Sequence, residues 1–355
     1  METSARARGE RGALGVMSRD GGAGKRKGER ARAMGARGTK APRYDFEALA
    51  RADEAFGAVV TWRTCAKTGK RTCGTDFTDW TSTKALTGAI LRVEHGVVGW
   101  DVPRGHLVPT ATNRTRYVEW LEKLYRLSSP VEANGGEDVG VARVLDVGTG
   151  ASVIYPLLGA STLGWRFVGT DVTDEALESA RENLRKNPHL ERLIEIRDAR
   201  DEDGSRDRIL RGVVEEGETF TFCMCNPPFF ESMEDAGLNP NTACGGTEIE
   251  MVCPGGEEAF VKRMFADSLE MKESIHWFTT MCGKKSTMTK MRSLSHATRV
   301  PAVRTTELVH GKTSRWCIAW SFSKDAASKA NVPLPDAEKL KKVAKTLEKR
   351  GETTD

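Results

Sequence analysis

No apolar run in this chain approaches the ~18 residues that would span a bilayer. Its N-terminus carries no hydrophobic segment of the secretory kind, and no membrane partner is expected. The eight cysteines include no C-x-x-C pair, the spacing by which zinc ribbons and dithiol redox centres usually announce themselves. Cys223 and Cys225 stand two apart, on one face of a presumed strand; free structural thiols and no metal site are expected. Net positive charge is also missing from most of the chain. Of the formal net +4, residues 1–42 hold +7 and the remainder −3. The basic character belongs to a tail with nine glycines and too few apolar residues to build a core. With Lys25-Arg26-Lys27 at its centre, that tail reads as a nucleic-acid arm or nuclear localisation signal, against the plainer reading of a solubilising tail.

Residues 43–130 read as a helical accessory module. "RYDFEALARADEAF" forms one short helix, and "TKALTGAILRVEHG" a second, closed by His95-Gly96. "RYVEWLEKLYRLSS" is a third, with Val118, Leu121, Leu124 and Tyr125 on one stripe, and "WDVPRGHLVPTATNR" is an irregular connection before it. A Gly/acid-rich link, "ANGGEDVG", precedes a change of pattern. From 141 to 323 strands alternate with helices, the signature of a parallel sheet covered on both faces. The strands are "ARVLDVG", "WRFVGTDV", "RLIEIRD", "FTFCMCN", "SIHWFTTMCG", "AVRTTELVHG" and "RWCIAWSF"; "DEALESARENLRKN" and "GGEEAFVKRMFADSLEMKE" are helices. Residues 324–355 are a polar tail in which "DAEKLKKVAKTLEKRG" has helical spacing.

One missing glycine narrows the chemistry. "VLDVGTGAS", Val144 to Ser152, is an apolar strand, an acid and a tight turn in which Gly148 and Gly150 let backbone approach a ligand. A dinucleotide fingerprint needs a third glycine where this chain has Val153, which argues against NAD. Asp171 ends the next strand and is placed to accept both hydroxyls of a ribose; alone it would more often be a helix cap or a solvated acid. Asp146, the two glycines and Asp171 together point to a cofactor with a ribose and no pyrophosphate, for which S-adenosylmethionine is the candidate.

In "CMCNPPFF", Cys223 to Phe230, two prolines must end the strand at Asn226 and fix the next residues rigidly at its carboxyl end. The Asn226 carboxamide oxygen and the Pro227 carbonyl make two fixed acceptors for the hydrogens of an exocyclic amine. Phe229, with Phe230 beside it, offers a stacking face for a planar base. The plain alternative is a proline-terminated strand with core aromatics.

These segments, with "LDVGTGASVIYPLLGA", "GGEEAFVKR", "GKKS" and "GKTSRWCIAWSF", resemble the methyltransferase-like protein sixteen family over residues 43–323. That family makes N6-methyladenosine in U6 small nuclear RNA, and its bacterial relatives are RlmF-type adenine-N6 methyltransferases of large-subunit ribosomal RNA. The resemblance implies a class I methyltransferase fold, Rossmann-like, with a mostly parallel seven-stranded sheet and a small N-terminal RNA-binding module. It implies S-adenosylmethionine as cofactor and S-adenosylhomocysteine as its product; a nuclear location is expected, with cytoplasm or an organelle as the alternatives. Asn226, Pro227, Pro228 and Phe229 match the catalytic motif. Arg114 matches the arginine that reaches the cofactor carboxylate, Gly148 lies against the methionine moiety, and Asp171 stands where the family has an acid on the ribose. Asp146, Gly150 and Asn226 complete the cofactor set. Arg37, Lys40, Arg43, Lys284, Lys285, Lys312 and Arg315 are candidate phosphate contacts. The loop "NTACGGTEIEMVCPGGEE" lacks the arginine-proline run of animal members, and the extra C-terminal RNA-binding region of vertebrate members is not expected. The expected partner is structured RNA, U6 or ribosomal, bound by a monomer. The alternatives are a protein glutamine N5-methyltransferase and a non-catalytic RNA-binding scaffold.

Overall fold

The computed structural model describes residues 44–69, 71–128, 141–200, 209–237, 245–310, 313–324 and 326. The basic tail with Arg37 and Lys40, together with Arg43, Lys312 and the expected C-terminal helix, lies outside the described residues.

The expected first helix is two: α1, Phe46–Ala52, and α2, Glu54–Val59. Asp53 breaks it, because its backbone is extended (φ −128°, ψ 113°) and its carboxylate accepts from Phe56 N to cap the second segment. The same buried carboxylate pairs with Arg92, so its charge is not left alone in the core. Next comes an antiparallel hairpin, β1 (Thr61–Thr64) and β2 (Arg71–Gly74). Helix α3, Trp80–His95, starts at Asp79, which accepts from Ser82 N, and stops at Gly96 in the left-handed conformation that glycine tolerates. Leu49, Phe56, Leu86, Ala89, Ile90 and Ala111 form the small core of this region.

Helix α4, Ala111–Ser128, begins five residues before the expected start, with the Thr110 carbonyl accepting from Asn113 N and Arg114 N. It does not stay with the accessory module. Tyr117, Val118, Leu121 and Leu124 share the main core with the sheet, and Tyr117 Oη lies 2.8 Å from Thr279 Oγ1.

The remaining elements are β3 (Arg143–Val147), α5 (Ile154–Leu163), β4 (Arg166–Asp171), α6 (Asp174–Arg185), α7 (Pro188–Glu191), β5 (Ile194–Asp198) and β6 (Phe220–Cys225). After them come α8 (Met233–Gly237), α9 (Glu248–Met251), α10 (Gly256–Ser268), β7 (Ile275–Cys282), α11 (Lys285–Ala297), β8 (Ala302–His310) and β9 (Thr313–Ser321). The seven-stranded sheet has the order β5-β4-β3-β6-β7-β9-β8. Its first five strands are parallel, and β9 runs antiparallel to both β7 and β8. Alternate residues feed opposite faces, as the pleat requires. Val144, Phe222, Met224 and Trp277 pack under α4, α5 and α6, whereas Leu145, Cys223, Cys225 and Phe278 pack under α10 and α11. The two cysteines therefore do share a face, as buried free thiols.

The connection from 97 to 110 is irregular but clamped. Asn183 accepts from Asp101 N and donates to the Asp101 and Ala151 carbonyls, at 2.8, 2.8 and 3.1 Å. Four residues on, Asn187 accepts from Val98 N and donates to Gly99 O, at 2.8 and 2.6 Å. Two buried amides thus satisfy a backbone that has no ladder of its own. Among the described residues no helix is long and apolar enough to cross a membrane, and no group of three or more His, Cys, Asp or Glu could hold a metal ion.

Candidate active site

Register puts the key residues at one level. Val147 pairs with Thr170 on β4 and with Cys225 on β6, so Gly148, Asp171 and Asn226 leave three adjacent parallel strands side by side. The sheet order reverses between β3 and β6, and such a switch point opens a crevice at the carboxyl ends of the strands. Gly148 and Gly150 have φ of 71° and 64°, and a Cβ built on Gly148 would meet nothing within 4 Å. The turn is an open cradle. Val153, where a dinucleotide site would have its third glycine, is itself left-handed at φ 45°, ψ 34°. A β-branched residue there stores strain of roughly 1–3 kcal/mol. Close helix–strand packing is met instead at Gly159, where a Cβ would fall inside the Phe167 ring of β4.

Three charges surround the cradle. Asp146, near the end of β3, is fully buried, and neither carboxylate oxygen makes a well-formed hydrogen bond among the described residues. Burial pushes its carboxyl up to about 7. The nearby Thr149 hydroxyl and the Arg114 guanidinium ease the charge, while Asp171 opposes it. Arg114, in the first turn of α4, is buried, with its Cζ 5.7 Å from the centroid of the Tyr155 ring. Asp171 accepts from Gly150 N at 2.9 Å and from Val172 N at 2.8 Å. It therefore fixes the glycine turn, while Thr173 caps α6. Burial raises the Asp171 carboxyl above its ordinary value in spite of these donors.

β6 stops at Cys225, and Asn226 presents a buried carboxamide oxygen with no partner among the described residues. Pro227 is buried, while Pro228, Phe229 and Phe230 are half-buried. Phe230 is tied down by the 251–253 segment: its N–H donates to Met251 O at 3.0 Å and its carbonyl accepts from Cys253 N at 3.1 Å. Phe229 meets Phe230 edge-on at 6.5 Å and lies under Arg315, whose Cζ is 5.4 Å from the ring centroid. A Cβ on Gly283 would come within 3.0 Å of Phe229 Cδ1. Of the proposed phosphate contacts, the structure brings Arg315 onto the motif and places exposed Lys284 at the end of the loop behind it and exposed Lys285 at the start of α11.

Sequence reasoning missed the supports. Buried Glu257, at the start of α10, accepts from Gly283 N and Lys284 N, so it holds the loop that backs Phe229. Burial raises its carboxyl above the ordinary range. Glu250 accepts from Leu107 N at 3.1 Å and Thr247 N at 2.8 Å, and meets His106 Nδ1 at 3.1 Å. It thereby anchors the 245–251 segment beside Gly150. The Thr247–Glu250 capping box was legible as T-x-x-E; the two loops that it joins were not.

These residues fit S-adenosylmethionine. The unpartnered Asp146 oxygens suit an ammonium, Arg114 a carboxylate, Asp171 ribose hydroxyls, and the Gly148 cradle an aliphatic arm.

The chain matches the RNA methyltransferase family over residues 29–324. It is 36% identical over 298 residues to ribosomal RNA large subunit methyltransferase F of Cronobacter sakazakii, covering 79% of this chain and 90% of that one. To the human RNA N(6)-adenosine-methyltransferase METTL16 it is 35% identical over 276 residues, 75% of this chain and 46% of that protein. The chain thus spans about half the length of its vertebrate relatives. The human METTL16 catalytic domain, solved with a MAT2A 3′UTR hairpin, superposes with a TM-score of 0.68 at 32% identity, covering 83% of this chain and 96% of that one. The N-terminal domain of human METTL16 in complex with S-adenosylhomocysteine gives 0.63 at 32% identity, covering 79% and 95%.

Proposed function

The chain belongs to this RNA methyltransferase family, and from that premise we propose that it methylates the N6 amine of an unpaired adenosine in structured RNA. The observation that carries the reading is the Asn226 carboxamide oxygen, buried and unpartnered at the level of the glycine cradle. When bound, S-adenosylmethionine supplies an electrophilic methyl group. Arg114, Asp146, Asp171 and Gly148 hold that cofactor in the roles their chemistry suits. Asn226 Oδ1 and the Pro227 carbonyl accept the two N6 hydrogens, which draws the nitrogen lone pair out of conjugation with the base. The amine gains positive charge as it reacts, so both oxygens bind it more strongly in the transition state than before. Its surplus proton leaves to solvent, and no side-chain base is needed. Phe229 stacks on the adenine, a contact worth roughly 1–3 kcal/mol. The adenosine is unpaired because an amine inside a duplex would first have to be flipped out.

Within this class we assign U6 small nuclear RNA as the target and a nuclear location with it, a reading supported by the basic Lys25-Arg26-Lys27 segment. Large-subunit ribosomal RNA is the second reading, favoured by the match to 90% of a bacterial ribosomal RNA enzyme. Methyl transfer to a U6 stem-loop presenting UACAGAGAA and to a ribosomal RNA fragment, read in parallel by nucleoside mass spectrometry, separates the two. N6-methyladenosine in the U6 loop alone is the expected result. Product only in the ribosomal fragment would reassign the target, and cofactor binding with neither product would move the search to protein glutamine.

A further inference from the structure

Tyr155 stands in the first turn of α5, directly after the glycine turn, and is 3% exposed. Its ring is fully engaged, edge-on to Tyr117 at 5.5 Å and beneath the Arg114 guanidinium. Its hydroxyl is not: buried, it has no hydrogen-bond partner among the described residues. The same core can satisfy a phenol, since Tyr117 Oη meets Thr279 Oγ1 at 2.8 Å. A buried hydroxyl left unpaired lowers stability, and phenylalanine would fill the space without that cost. The fold by itself gives no reason for the oxygen.

The neighbouring charges say what it faces. Arg114, over the ring, favours the ionised phenol and Asp146 opposes it, so both charges lie within electrostatic range of the hydroxyl; burial outweighs both and keeps it protonated. A protonated phenol beside a guanidinium is a pair of donors for an anion. Asp146 is the complementary group for a cation. A carboxylate and an ammonium on one carbon are what the methionine arm of S-adenosylmethionine presents.

We propose that Tyr155 Oη is a second binding donor to the cofactor carboxylate, alongside Arg114 and across from Asp146. The inference rests on the cofactor reading above. It assigns the hydroxyl to the carboxylate because the sulfonium and ammonium are cationic and do not accept hydrogen bonds, and the ribose lies toward Asp171.

The test is calorimetric titration of S-adenosylhomocysteine and its decarboxylated analogue into the full chain and into Tyr155→Phe. The unsubstituted protein is expected to prefer S-adenosylhomocysteine. Tyr155→Phe is expected to weaken that ligand by about tenfold or more, to leave the analogue unchanged, and to melt no lower than the parent. Unchanged affinity for S-adenosylhomocysteine, or equal weakening of both ligands, would overturn the assignment. Should the variant not fold, equal affinity of the parent for the two ligands would overturn it independently. A parent that binds neither ligand would overturn the cofactor reading itself, an outcome distinct from the others.

Discussion

Asp146 illustrates how a single buried side chain can lower the stability of the free fold. Its carboxyl sits at about 7 in the folded chain against an ordinary 3.8. Between those values the folded state holds a proton that the unfolded state has lost. Stability from this group therefore falls as pH rises from about 4 to about 7, and stays low above that. The full difference amounts to at most about 4 kcal/mol. Asp146→Asn should accordingly stabilise the free protein at pH 8 and change it far less at pH 4.5, as read from denaturant midpoints at the two pH values. An equal effect at both would mean that the carboxyl is not perturbed. Asp171 is shifted in the same direction, and the paired comparison isolates Asp146 from it. Residues adjacent in the chain, such as Gly148-Thr149-Gly150 and Asn226-Pro227-Pro228-Phe229, declare themselves by pattern because their chemistry is local. Tyr155, His106 and Glu257 gain their meaning only from partners brought close by the fold, and nothing in their own neighbourhood signals it; Glu250 shows only its capping box locally, not its contacts with His106 and Leu107.

At the scale of elements, the β3–α5 turn shows why some pieces were legible and others hidden. The five parallel strands could be read because buried parallel strands are short apolar runs ended by turn residues, and β8 and β9 because they are rich in β-branched and aromatic residues. Helix α5 could not, since residues 154–160 are buried on all sides and leave no periodicity to find. Helix α11 was hidden for the opposite reason: its buried residues, Thr287, Met288, Met291 and Ser295, include two polar ones and give a faint stripe. Within α5, Gly159 sits where a Cβ would enter the Phe167 ring. Gly159→Ala should therefore destabilise by about 2–3 kcal/mol through overpacking, in spite of alanine's better helix propensity. A denaturant series on this variant checks it, and a gain in stability would show that helix and strand are not in close contact. Asp53 makes the same point about boundaries. The pattern across residues 43–56 is helical, yet one buried acid paired with Arg92 ends one helix and begins another.

Across the whole molecule, the charge of residues 43–355 is slightly negative and the net positive charge lies in residues 1–42, so general attraction to RNA cannot rest on the net charge of residues 43–355. Around the motif the proposed phosphate-binding groups are Arg315, Lys284 and Lys285. The central claim is a division of labour across the switch point: β3 and β4 hold the cofactor, and the end of β6 holds the amine. The most direct test compares Asn226→Ala with the parent chain, using single-turnover methyl transfer to the RNA and calorimetric titration of S-adenosylhomocysteine. Loss of at least about a hundredfold in transfer rate, with cofactor affinity changed less than about threefold, is the predicted result. A parallel loss of both, or transfer that survives the substitution, would contradict it.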